Sequence, residues 1–240
     1  MRTTVSELTS VDSRLWRSLF ALIAKPGFLS REYQRGRRRS FLSPVGLFLL
    51  ANLVYFLAPP ISDLQLSLTQ QYELQFYRGW ISGWVDGYIA DSGTTFEAVA
   101  RRYELKIAEI AKLMVILHVP LLALATMLMF ADRRLFYADH VVMAFHYLGF
   151  LLLYLISTSV LFGLAFRIAP DLIRSLMPHL ATVIVTAQFL YVPPMLKRAM
   201  AVPWWRALLM TPVFIAGLFA AHTIYRIIQF LIGFSLVTLS

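Results

Sequence analysis

The chain has no cysteine among its 240 residues, which excludes disulfides, thiolate chemistry and cysteine-ligated zinc or iron–sulfur sites. It is also poor in charge: 15% of residues are Asp, Glu, Lys or Arg, against about 25% in an ordinary water-soluble domain. Acids are the scarcer sign, 13 against 22 basic residues. There is no Walker loop, no Gly-x-Gly-x-x-Gly, no Gly-x-Ser-x-Gly and no His-Glu-x-x-His, so the common soluble-enzyme chemistries have no foothold. No internal repeat divides the chain into matching halves, which argues against an inverted-repeat transporter. Met1 to Ser13 is polar, with no signal-peptide core, and no lipidation pattern is present.

What the chain has in excess is apolar side chains, 59% of the total, with a mean hydropathy of +0.67. They fall in blocks nearly free of charge. About 20 such residues cross a bilayer as a helix, and a helix satisfies its own backbone hydrogen bonds where no water can. The expectation is an all-α polytopic membrane protein, a single integral domain over residues 1–240. About five crossings are predicted: Pro44–Leu57, Ile107–Phe130, His140–Phe166, Leu176–Leu196 and Ala207–Tyr225. Residues Ile227–Leu239 either continue the last helix or turn back. Asp12–Pro26 reads as a short amphipathic helix in the interface plane, with Leu15, Leu19, Leu22 and Ile23 on one face, stopped by Pro26-Gly27. Residues 1–40 form a basic cytoplasmic or interfacial segment, and 61–106 an extracytoplasmic loop rich in aromatics. A capping box is expected at Thr94-Thr95-Phe96-Glu97, leading into the second span, and span four is expected to end near Pro193-Pro194 and Lys197-Arg198.

The net charge of +9 does not point to nucleic acid, because nine of the 22 basic residues precede Phe41, beside the first span. Five crossings with the N-terminus inside place 14 Lys and Arg on the cytoplasmic side and six outside. That bias predicts a bacterial inner-membrane protein with a cytoplasmic N-terminus, lying on anionic lipid.

Two stretches resemble a known family. Pro26-Gly27-Phe28-Leu29-Ser30-Arg31-Glu32-Tyr33-Gln34-Arg35-Gly36-Arg37-Arg38-Arg39-Ser40-Phe41-Leu42-Ser43-Pro44 has a Pro-Gly, Arg-x-Tyr, Gly-x-Arg, Pro order. Val119-Pro120-Leu121-Leu122-Ala123-Leu124 is followed by Tyr137-Ala138-Asp139-His140 and Phe145-His146. Together they resemble the bacterial domain-of-unknown-function 3667 family over about Leu15 to Phe150. The resemblance implies a multi-pass membrane protein and supplies no activity. Many relatives start with a cysteine-rich, zinc-ribbon-like segment, which this chain lacks.

Two groups of residues are candidates for function. Arg31, Tyr33, Arg35, Gly36, Arg37, Arg38 and Arg39 form a basic loop able to hold a lipid head group or an acidic partner surface, since guanidinium pairs bidentately with phosphate; the plainer reading is orientation and surface attraction. His118, His140, His146 and His222, with Arg226, form a candidate intramembrane polar site. His140 and His146 are six apart, about 240° around a helix, and no His-x-x-x-His or His-x-x-His-His box is present. No catalytic residue, metal site or cofactor is therefore expected. The leading expectation is an accessory or subunit protein that binds anionic lipid and another membrane protein or itself. It would pack closely at Gly46, Ala51, Ala123, Ala125, Gly163 and Ala165. The alternatives are a homo-oligomeric lipid or solute transporter lined by His118, His146 and His222, and a histidine-ligated haem or metal protein.

Overall fold

A computed structural model describes residues 2–57 and 64–239, with side chains from Ser13 onward apart from residues 109 and 181. Residues 61–63, the start of the loop expected over 61–106, lie outside the described residues. Among those described there is no strand. The helices are α1 (Arg2–Ala24), α2 (Phe28–Gln34), α3 (Pro44–Leu57), α4 (Leu68–Glu73), α5 (Arg78–Ser92), α6 (Phe96–Met114), α7 (His118–Met129), α8 (Tyr137–Ile168), α9 (Pro170–Leu176), α10 (Leu180–Ala199) and α11 (Trp204–Thr238). Single 3₁₀ turns, Val115–Leu117 and Met177–His179, precede α7 and α10.

Among the described residues, three helical stretches are long and apolar enough to cross a membrane: Ile110–Met129, Tyr137–Ile168 and Trp204–Thr238. Pro170–His179 and Thr182–Ala199 make a fourth if this pair, bent by 63°, is one span. The 14-residue α3 rises only about 21 Å, short of a hydrocarbon core of about 30 Å. The tail is now assigned: 227–238 continue α11 without a break. Pro193 and Pro194 lie inside α10 rather than ending it, and Lys197 and Arg198 occupy its last turn, where cations meet the negative end of the helix dipole. The α6 cap sits one residue later than the sequence pattern indicated. Thr95, not Thr94, is the N-cap and accepts the Ala98 N–H at 3.3 Å, which removes Glu97 from the reciprocal position.

The chain folds into two compact units, Met1–Ile61 with Val119–Phe219 and Ser62–His118 with Ala220–Ser240. In the first, α3 packs along α8: Leu47, Phe48, Ala51 and Tyr55 are buried, while Val45, Leu49, Leu53 and Leu57 face outward. Gly149 of α8 lies at this contact, where a Cβ would make an ordinary van der Waals approach to Phe48 Cα at 3.7 Å. Among the expected close-packing residues, Ala51 and Ala123 are buried and Ala125 meets Gly217. Gly163 has nothing near it, and Gly46 approaches only its own Ser43 hydroxyl. Arg206 donates twice to the Asp132 carboxylate, at 2.6 and 2.5 Å, and this pairing lowers the Asp132 pKa. Ala201, in the turn before α11, is left-handed at φ 51°.

In the second unit the aromatic-rich stretch is mostly helical where described, in α4, α5 and the start of α6. Ile81 and Val85 of α5 and Val99, Tyr103 and Ile107 of α6 recur at helical spacing and are buried. Trp80 and Tyr88 set their rings against Phe230 and Phe234 of α11. At Gly233 a Cβ would press into the Tyr103 ring, at 2.6 Å from Cε2. Tyr72 hydrogen-bonds the Asp86 carboxylate at 2.9 Å, which raises the phenol's pKa.

Candidate functional site

The basic segment is built by three consecutive devices. First, α1 ends at Ala24 and the chain turns through Gly27 at φ 77°, a conformation that only glycine adopts without steric cost. A Cβ at Gly27 would collide with the Met195 carbonyl oxygen and lie 3.0 Å from Met195 Cα. Glycine is needed here for both its φ and its size, so that α2 can lie against α10. Arg198 of α10 donates to the Pro26 carbonyl (3.0 Å) and Tyr191 to the Leu22 carbonyl (2.8 Å).

Second, α2 ends in a two-bond glycine cap. The Gly36 N–H bonds the Tyr33 carbonyl and the Arg37 N–H bonds the Glu32 carbonyl, both at 3.0 Å, with Gly36 at φ 78°. This is the Schellman arrangement, which satisfies the orphan carbonyls of a helix end. The role of Gly36 is thus to terminate α2 and turn the arginines back over it.

Third, Glu32, absent from the sequence-derived site, sits at the centre of the loop. Its Oε1 lies 3.5 Å from Arg35 Nη1 and its Oε2 3.3 Å from Arg37 Nη1. Arg38 stacks its guanidinium 4.4 Å above the Tyr33 ring. The signal for Glu32 was available, since it is the sole acid between Ser13 and Phe41; its burial was not. Ser18 ties the loop's far end down by accepting the Leu42 N–H at 2.9 Å.

On the outward side of α1, Trp16, Phe20 and Ile23 are exposed, while Ser18, Ala21 and Leu22 are buried. Ile23 therefore parts from Leu22, with which the helical pattern had grouped it. Lys25 lies 5.8 Å from the Phe20 ring and 5.7 Å from the Phe28 ring. Beneath this surface a narrow cleft lined by Lys25, Ser30, His146, Tyr147 and Tyr191 has room for about one water molecule.

The four candidate histidines take three kinds of partner. His140 Nδ1 lies 3.1 Å from Thr126 Oγ1; since Thr126 donates its own proton to the Ala123 carbonyl, the imidazole must be the donor. His146 Nδ1 pairs with the buried Ser30 hydroxyl at 3.0 Å. His118 and His222 come together, Nε2 to Nδ1 at 3.0 Å. A carbonyl only accepts, so the contact of His118 Nδ1 with the Val115 carbonyl at 3.1 Å fixes the proton on Nδ1. In the neutral pair, His118 Nε2 is then the acceptor and His222 Nδ1 the donor.

Tyr225 packs against both rings and donates to the Leu64 carbonyl at 2.7 Å, which also accepts from Gln229 at 3.0 Å. Arg226 donates to Gln75 Oε1 (2.9 Å). Gln71 connects the Arg226 carbonyl (3.4 Å) to the Tyr77 hydroxyl (2.8 Å). The sequence marked His118, His222 and Arg226 but not these uncharged partners, because Gln, Thr and Ser in apolar helices have no distinctive spacing. Among the described residues no group of three or more His, Asp or Glu is placed to hold a metal ion.

Comparison with curated proteins and with solved structures finds no match. The second stretch of the resemblance, Val119 to His146, lies outside the part of the chain that a family model recognises. The part it does recognise contains the second half of α1, the Gly27 turn, the Glu32-centred loop and nearly all of α3: residues 12–56 carry the signature of the family described as Protein of unknown function (DUF3667).

Proposed function

We propose that the protein is an integral membrane accessory or subunit protein, without catalysis of its own, that binds lipid and a membrane-protein partner through the surface formed by α1 and the arginine loop. One observation carries this reading. Over residues 13–43, eight basic residues face a single acid, and the adjoining helix turns Trp16, Phe20 and Ile23 outward. An apolar row beside a basic rim is the chemistry of a helix lying in the headgroup layer, with each basic residue near an anionic surface contributing about 1 kcal/mol.

In this reading α1 lies in the plane of the bacterial inner membrane, on the cytoplasmic side with the N-terminus. The chain crosses five times, α11 counting as one crossing. α3 joins these as a short crossing, and the outward faces of the spanning helices meet lipid or partner. A transporter would need a cavity reaching its histidines, yet the cleft at His146 accommodates about one water. Purification in mild detergent, with crosslinking and mass spectrometry, tests the proposal. A stoichiometric membrane-protein partner is expected, lost when Arg31 to Arg39 are neutralised; a partner-free monomer in every mild detergent would end it.

A further inference from the structure

We infer that Glu32 is a positioning residue, holding Arg35 and Arg37 side by side as a clamp for the phosphate of a lipid head group. This deepens the reading above and rests on it. A carboxylate among arginines would ordinarily be expected to weaken an anion site. Here its burial changes that role: the Glu32 side chain is 10% exposed, whereas those of Arg35 and Arg37 are 48% and 67% exposed. Glu32 engages one Nη1 of each arginine, one carboxylate oxygen apiece. A guanidinium carries five N–H donors in a plane, so each retains donors on its water-facing edges.

The backbone is fixed as well, by the Gly36 cap, so the entropy of aligning two long side chains is partly spent before a ligand arrives. Charge still favours an anion, since residues 31–39 hold five arginines against Glu32 alone. Paired guanidinium forks match the several acceptor oxygens of a phosphate. The neighbouring Trp16, Phe20 and Ile23 would place the clamp at headgroup level.

Full-length protein in a neutral detergent is titrated calorimetrically with dihexanoyl phosphatidylglycerol, with dihexanoyl phosphatidylcholine, inorganic phosphate and hexaglutamate as separate arms. The glycerol lipid is expected to bind best. Inorganic phosphate binding as tightly would overturn the lipid assignment, and hexaglutamate binding more tightly would assign the loop to an acidic protein surface instead. Arg35→Ala and Arg37→Ala should each weaken binding about ten-fold, and Arg39→Ala, which removes the same charge outside the bracket, about two-fold.

Glu32→Gln makes the loop more positive, so attraction by charge alone predicts binding about five-fold tighter; the clamp predicts weaker binding. Tightening, or equal losses at Arg37 and Arg39, would refute the clamp, and the arginine comparison holds even if Glu32→Gln fails to fold. If alanine at all five arginines abolishes binding while Glu32→Gln does not weaken it, the clamp fails and the lipid-binding surface stands. If the five-alanine protein binds as well as the native one, both fail.

Discussion

The two units bury their polar groups in different ways. In the first unit they are matched in small sets: Ser30 with His146, Thr126 with His140, Tyr147 with Gln188, Glu32 with its two arginines. In the second they run together. Tyr77, Gln71 and Arg226 form a chain, and Tyr225 and Gln229 converge on one carbonyl with the His118–His222 pair alongside. A matched pair fails locally when one member is removed. A network spreads the loss, so its members should be non-additive.

The glycines make the same contrast sharper and give the largest expected effect. Gly27→Ala drives a Cβ into the α10 backbone at a left-handed residue, which has no way to yield; a loss of about 3 kcal/mol is expected, seen as a large drop in the melting midpoint in detergent. Gly233→Ala meets only the Tyr103 and Ile107 side chains, which can rotate, and alanine favours the helix. Its cost should be about 1 kcal/mol. Equal costs at the two sites would break the distinction.

Next in size, Ser30→Ala leaves a buried imidazole nitrogen without its partner, at about 2 kcal/mol, and adding His146→Phe should cost little more. In the second unit Tyr225 and Gln229 share the Leu64 carbonyl, and Gln229 also donates to the Tyr225 hydroxyl at 3.0 Å, so the Tyr225→Phe, Gln229→Leu double variant should depart from the sum of the singles by about 1 kcal/mol. Thermal melts of the four proteins in each cycle check both statements. Simple additivity in the second unit would mean that the shared carbonyl does not couple the two side chains.

A smaller gain is expected at the turn before α11. Ala201→Gly relieves a left-handed alanine and should stabilise by about 1 kcal/mol. The smallest effect is the pH dependence of Asp132. Its folded pKa lies below the ordinary 3.8 because Arg206 hydrogen-bonds the carboxylate. The pair's contribution is therefore complete above about pH 4 and lost as pH falls through the lowered value. Native protein and Asp132→Asn should differ in melting midpoint at pH 7 and converge in stronger acid.

The helices were largely legible because oil leaves the backbone little alternative. Long charge-poor runs gave α7, α8 and α11, and the proline at the head of α3 marked its start. Shorter helices inside the polar stretch were hidden, since α4 and α5 carry Gln, Arg, Gly and Asp between their few buried residues. Pro193 and Pro194 fall inside α10, with Lys197 and Arg198 closing it: proline breaks an isolated helix but is tolerated where neighbouring groups re-satisfy the backbone. At the basic loop the arginines and Gly36 were visible in the sequence. Glu32 could be read only as a stray acid until its burial showed it bracketing two of them.

The sequence by itself determined the class of molecule, helical and suited to a membrane, and the crowding of positive charge before the first apolar helix. These follow from composition and from long apolar runs, for which a helix satisfies the backbone wherever water is absent. Only the tertiary structure decided that α11 is one helix, that His222 meets His118 while His146 meets Ser30, and that Gly27 must be glycine. Those outcomes depend on which residues distant in the chain come within a few ångströms of one another, and no local propensity encodes that distance.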